Sequence, residues 1–223
     1  MKIRIATLSL TILCLALSAP AFAGQIYNDG PTLGTYNSLF IDGPGGTYGQ
    51  TISDGFFAGS CPGCVGGQPS FIDFAEWTAG GAPTTVTWSL GDTSFGTNFG
   101  TNTATGSDLS SNFLFTNGYG YSVYDTHIVT HDTHNLSSGS FYYLTLGGAN
   151  DQSGNGLDAW DINNGSALCY FAQRGIQYGG CGYGGESFTI SGGQPTTPEP
   201  SSILLFGSGI LGLAGVLRRK LTR

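Results

Sequence analysis

Positive charge is scarce in this sequence. Lys and Arg supply 7 of 223 residues, and six of them (Lys2, Arg4, Arg218, Arg219, Lys220 and Arg223) sit at the two ends. Between residues 24 and 193 only Arg174 remains, against 13 of the 14 acids, so this stretch carries about −12. Such a field repels nucleic acid and anionic lipid, and a lone cation cannot clamp a phosphate, whereas divalent cations are attracted. Helix formers are also thin, with a single Met and no run of useful length at helical period, which argues against an α/β fold. The chain has no G-x-S-x-G elbow, no H-E-x-x-H and no Walker loop. Carboxylate pairs such as Asp73/Glu76 and Asp158/Asp161 exist, but spacing along a strand does not set two acids across a cleft. A non-catalytic protein is therefore expected.

Glycine is abundant, at 38 residues, more than twice the usual share of about 7%. With Thr, Ser, Asn, Tyr and Phe it gives a composition of strands and turns. Alternating patterns stand at "TTVTWSL", "NFLFT", "YSVYDTHIVT" and "FYYLTL", with turn residues such as Asn117-Gly118 and Ser138-Gly139 between them. "SLFI", "TISDGFF", "FIDFAEW" and "ESFTI" read as further strands. This predicts an all-β fold, an antiparallel β-sandwich of jelly-roll type over residues 24–192, with a barrel as the alternative.

The two ends read as addresses. Lys2 and Arg4 precede an apolar run from Ile5 to Leu17, then Ala21-Phe22-Ala23, the pattern of a secretory signal peptide over residues 1–23. At the other end, residues 193–223 form a linker, then Pro198-Glu199-Pro200, an uncharged run over 202–217 and the basic cluster Arg218-Arg219-Lys220. As a helix that run spans about 24 Å, short of the roughly 30 Å of a bilayer core, and four glycines weaken it, which suits a transient span better than a permanent anchor. The order and spacing of Pro198, Glu199, Pro200, the short hydrophobic helix and Arg218, Arg219, Lys220 resemble the PEP-CTERM sorting signal of Gram-negative bacteria. The resemblance implies a partner, the membrane enzyme exosortase, which cuts near the motif. It further implies a transient inner-membrane stage and delivery to the cell surface or extracellular matrix, where a structural or exopolysaccharide-associated role is expected. "IYNDGP", "FLFTNGYGYSVY", "SGSFYYLTL", "AWDINNGS" and "ESFTI" look like the uncharacterised ectodomains found ahead of such tails, which carry no activity over to any residue.

Four cysteines remain after residue 23, an even number that suits disulfides in an exported chain. Cys61 with Cys64 and Cys169 with Cys181 is one pairing of three, and a four-thiolate zinc site is the competing use. In "HIVTHDTH", His127 and His131 share a strand face and His134 does not, so solvated strand-end histidines are expected rather than a metal triad. "NDQSGNGLDAWD" is the better metal candidate. Asp151, Ser153 and Asn155 alternate before Gly156 like the first half of a calcium loop, the twelfth position is Ile162 instead of Glu, and Asp161 would close the set. Trp160, beside that loop, is the candidate glycan contact of the alternative function, a glycan-binding module.

Overall fold

The structure, a computed structural model, describes residues 24–30, 38–43, 45–154, 157–165, 168–181 and 185–192. The expected signal peptide and the expected sorting tail lie outside the described residues. Among the described residues no helix is long and apolar enough to cross a membrane.

The described chain is a run of strands: β1 (Gly24–Asn28), β2 (Ser38–Phe40), β3 (Gln50–Phe57), β4 (Pro69–Thr78), β5 (Pro83–Gly91), β6 (Gly100–Thr105), β7 (Leu109–Thr116) and β8 (Ser122–Val129), continuing with β9 (Phe141–Asp151), β10 (Ala159–Gly165), β11 (Tyr170–Gln173), β12 (Ile176–Tyr178), β13 (Gly185–Glu186) and β14 (Phe188–Gly192). A 3-10 turn at Gly106–Asp108 separates β6 from β7. The strands form two antiparallel sheets, as the alternating patterns predict. In the first, β4 has β8 along one edge, with β7 beyond it. Along the other edge of β4 lie β14, with β1 outside it, and then β10, which carries β2 and β13. The second sheet runs β12-β11-β3-β9-β5-β6.

Period-two alternation turns one side of each strand inward. Val86, Trp88 and Leu90 of β5 and Tyr142, Leu144 and Leu146 of β9 meet Ile72 and Phe74 of β4, Trp160 of β10, and Phe188 and Ile190 of β14 in one core. Each fully buried Val, Leu, Ile or Phe contributes roughly 1.5–3 kcal/mol. The β4 strand is covered on both faces. Its outward residues Ala75 and Trp77 join Val123 and Ala159 beneath Phe40, Phe115 and Tyr121. That double burial accounts for the nearly continuous apolar reading of "FIDFAEWT".

Two departures from the sequence reading have plain causes. The end of "NDQSGNGLDAWD", read as part of a calcium loop, enters β10, because Ala159 and Trp160 pair with Trp77 and Glu76 of β4 and hide the strand between other elements. "GTNTAT" lacks apolar alternation yet forms the edge strand β6, since one neighbour, β5, supplies its ladder and its outer residues remain exposed.

Candidate functional site

The outer face of the second sheet carries a file of aromatic rings. Consecutive aromatics in "FF" and "FYY" necessarily place rings on both faces of a strand. Phe56 and Tyr142 turn into the core, whereas Phe57, Phe141 and Tyr143 turn outward. Phe57 is 51% exposed. Ring centroids follow at 4.8 Å (Phe57–Phe141), 5.0 Å (Phe141–Tyr143) and 5.9 Å (Tyr143–Tyr170), crossing β3, β9 and β11. Gly55 makes the layout feasible, because a Cβ there would strike the Phe141 ring, which lies over it. The aromatic doublets were the available signal, but which ring faces out depends on register, and register is tertiary.

On the outer face of the first sheet, Asn28, Asp73, Leu114, Asp125 and Thr189 line an open cleft of about 460 Å³. Asp73 pairs across strands with His127, and Asp125 lies diagonally opposite on the same side. Burial, then the neighbouring Asp73 charge, raises the Asp125 carboxyl above its ordinary range, while His127 lowers it. The histidines do not converge. His127 Nδ1 meets Asp73 at 2.5 Å, His131 Nε2 meets Asp108 at 3.1 Å and His134 Nδ1 meets Asp132 at 2.8 Å, so each is held by a different acid.

The residues of the expected calcium loop are separated by the strand. Asp151 ends β9, buried, and its Oδ1 accepts the Ser153 amide (2.8 Å), the Ser153 hydroxyl (2.6 Å) and the Gly154 amide (3.1 Å). Asn155 lies outside the described residues. Asp161 sits on the outward side of β10, where its Oδ1 accepts the Trp77 indole N–H at 2.9 Å. Asp158, three residues earlier, falls on the inward side with Trp160, where Glu76 also faces the inter-sheet space. Burial, then the Asp151 and Asp42 charges, pushes the Asp158 carboxyl up to about 7, and Glu76 is raised well above its usual range by burial, then by Asp158 and Asp151. Sequence reading passed over Glu76 in this role; an acid inside the apolar "FIDFAEWT" was its signal.

Trp160 must be corrected as a glycan contact. It is fully buried, with its indole N–H donating to the Ser187 carbonyl at 3.0 Å, and it packs against Phe74 and Phe188. Trp77 and Trp88 are buried as well.

The cysteines form two disulfides. Cys61 joins Cys64, with Cα atoms 5.1 Å apart, across a turn closed by the Cys64 amide on the Cys61 carbonyl. Cys169 joins Cys181, with Cα atoms 5.4 Å apart, and straps the β11–β12 hairpin. Of the three pairings open in the sequence, this is the local one, and the thiolates are consumed by sulfur rather than zinc.

Comparison with known proteins bears on the end of the chain. Residues 196–220 match the PEP-CTERM protein-sorting motif. That motif marks an exported protein sorted through exosortase, in agreement with the tail resemblance. No curated protein matches. Among solved structures, a family 3a carbohydrate-binding module from the cipA scaffolding of Clostridium thermocellum is similar at 12% identity, covering 71% of this chain and 99% of its own, with a TM-score of 0.23. A similarity at that level carries no argument about ligand.

Proposed function

We propose that this exosortase-sorted protein works at the cell surface or in the extracellular matrix as a non-catalytic, exopolysaccharide-associated module. The observation that carries this reading is the file Phe57, Phe141, Tyr143 and Tyr170 on an outward sheet face. Phe57 is exposed and the other three rings are half-buried, and a contiguous aromatic file on an outward face suits a partner: the C–H faces of a sugar chain pack on aromatic rings while tyrosine hydroxyls bond its oxygens. A field of about −12 around the sheets disfavours an anionic polymer, so a neutral polysaccharide is the favoured ligand.

The test is a native gel cast with neutral glucans and run with the exported protein. Retardation should be lost on Tyr143→Ala and Phe141→Ala and kept on Phe113→Ala, an exposed ring on the other sheet. Equal retardation of all forms, or none of the parent, would remove the reading. A second reading, glycoside hydrolysis, is favoured by the Asp73 and Asp125 carboxyls in the open cleft. Reducing ends released by the parent but not by Asp125→Asn would establish it over simple binding.

A further inference from the structure

We propose that the Cys169–Cys181 bond is a thiol–disulfide exchange site, at which an external dithiol attacks Cys181 and Glu186 supplies the proton that Cys169 takes as it leaves. The proposal stands independently of the polysaccharide reading.

Cys169 Sγ, Cys181 Sγ and a Glu186 carboxyl oxygen lie within 4.8 Å of one another. Glu186 Oε1 is 2.8 Å from Cys169 Sγ. A disulfide sulfur carries no hydrogen, so a hydrogen bond across that contact needs the proton on the carboxyl. The surroundings keep it there. Glu186 is fully buried, Arg174 is the single Lys or Arg between residues 24 and 193, and Asp54 of β3 stands beside Glu186, its Oδ2 accepting the Glu186 amide at 3.0 Å. Burial and then the Asp54 charge raise the Glu186 carboxyl well above its ordinary range, and Asp29, just after β1, adds to the effect. Tyr27 of β1, its own hydroxyl raised by burial, is the other titratable neighbour.

The two sulfurs differ in access. Cys169, just before β11, is 3% exposed, whereas Cys181 is half-buried and follows residues 174–180, all of them exposed. A thiolate arriving from solvent therefore reaches Cys181, which makes Cys169 the leaving sulfur. Exchange slows as the leaving thiol becomes more basic, and apolar burial makes a thiol more basic still. A proton delivered in the same step removes that barrier.

In the first step the external thiolate bonds Cys181 Sγ, the Cys169–Cys181 bond breaks, and its electron pair stays on Cys169 Sγ, which takes the Glu186 proton. The products are a mixed disulfide on Cys181, a Cys169 thiol and a Glu186 carboxylate. In the second step the other thiolate of the dithiol attacks its own sulfur in the mixed disulfide and releases the Cys181 thiolate, which takes a proton from water. The dithiol is oxidised to a disulfide by two electrons, and Cys169–Cys181 is reduced by two. The reverse sequence closes the bond under an oxidising disulfide, with the Glu186 carboxylate accepting the Cys169 proton. Cys61 and Cys64 belong to no such cluster among the described residues, so their bond is an internal reference.

The test is reduction of the full exported protein by dithiothreitol, well below its melting temperature, with each cysteine pair followed by alkylation and peptide mass and each rate divided by the thiolate concentration. Over a series of pH values the Cys169–Cys181 rate so normalised should fall as pH rises and Glu186 ionises, while that of Cys61–Cys64 stays flat. Asp54→Asn, which removes the charge that holds the proton on Glu186, should move the fall to lower pH. Glu186→Gln should slow reduction of Cys169–Cys181 about 100-fold and leave Cys61–Cys64 unchanged. A merely structural Glu186 predicts the reverse, because a loosened hairpin exposes the bond. A small monothiol should leave its mixed disulfide on Cys181. A flat normalised profile in the parent, a Glu186→Gln rate equal to or above the parent's, or a mixed disulfide on Cys169 would overturn the proposal. Should Glu186→Gln fail to fold, the parent profile and its displacement in Asp54→Asn still decide.

Discussion

Trp160 shows how much a single side chain depends on its surroundings here. Its indole fills the core between Phe74 and Phe188, and its N–H satisfies the Ser187 carbonyl. Trp160→Phe keeps most of the ring packing and orphans that carbonyl, so urea denaturation should show a loss of about 1–3 kcal/mol. Trp160→Ala should cost about 3–5 kcal/mol. Neither should weaken glucan retardation when assayed well below the melting temperature. Loss of retardation in a folded Trp160→Phe protein would restore the indole as a contact. Gly55 is the complementary case at the binding face, where the absence of a side chain seats Phe141. Gly55→Val should therefore reduce retardation on glucan gels with the melting temperature lowered only modestly.

At the scale of elements, the hairpin β11–β12 has little to hold it besides β3 and its strap. The β12 residues are exposed throughout, and the Cys169–Cys181 bond closes a separation of 12 residues. In the chain-entropy view a loop of that size is worth roughly 3 kcal/mol. The paired Cys169→Ala, Cys181→Ala variant should lower the denaturation midpoint accordingly. Hydrogen exchange should speed up first in β11 and β12, leaving β4, β5 and β9 protected. The Cys61–Cys64 bond closes a separation of only 3 residues and should matter less on removal. In the exported protein, alkylation without reductant should label none of the four cysteines.

The whole molecule carries its acids inside as well as outside, and that gives stability a pH dependence of definite sign. Burial pushes the Asp29 and Asp54 carboxyls up to about 6, with hydrogen bonds to Tyr27 and Asn163 for Asp29 and to Glu186 for Asp54 partly opposing the shift. Glu186 is raised well above its usual range by burial and then by the Asp54 charge. The folded state therefore binds more protons than the unfolded chain, whose aspartates titrate near 3.9. Their stabilisation is fully present below about 4 and is lost as pH rises through about 6. At fixed ionic strength and in chelator, the urea midpoint should be higher at pH 4.5 than at pH 7.5. Asp54→Asn should flatten the difference; an unchanged profile would show that these carboxyls are not its source. The chain as a whole also carries the sorting motif at 196–220. The intact mass of the surface form should lack the residues beyond the Pro198-Glu199-Pro200 region, and retention of Leu217 and Arg218 would mean a permanent anchor instead.

What the sequence by itself determined is what local chemistry determines. Alternation in "TTVTWSL" and "FYYLTL" specifies strands because side chains of a strand fall on two faces whatever lies beside them. The Pro-Glu-Pro tail is legible because a sorting signal must work as a linear segment. Cysteines close in sequence meet readily, so the local disulfide pairing was among the options. The tertiary structure decided everything that depends on which face turns inward. It buried Trp160, left Phe57 exposed and turned the half-buried Tyr143 to the same outer face. Ligand spacing along a loop suggested Asp151 with Ser153, Asn155 and Asp161, but a strand begins at Ala159, and its pairing with β4 holds Asp161 on the Trp77 side. Glu76 and Asp158, 82 positions apart, have no local signature that would join them. Only the pairing of β10 with β4 and the packing of the two sheets bury Glu76, Asp151 and Asp158 within reach of one another's charge.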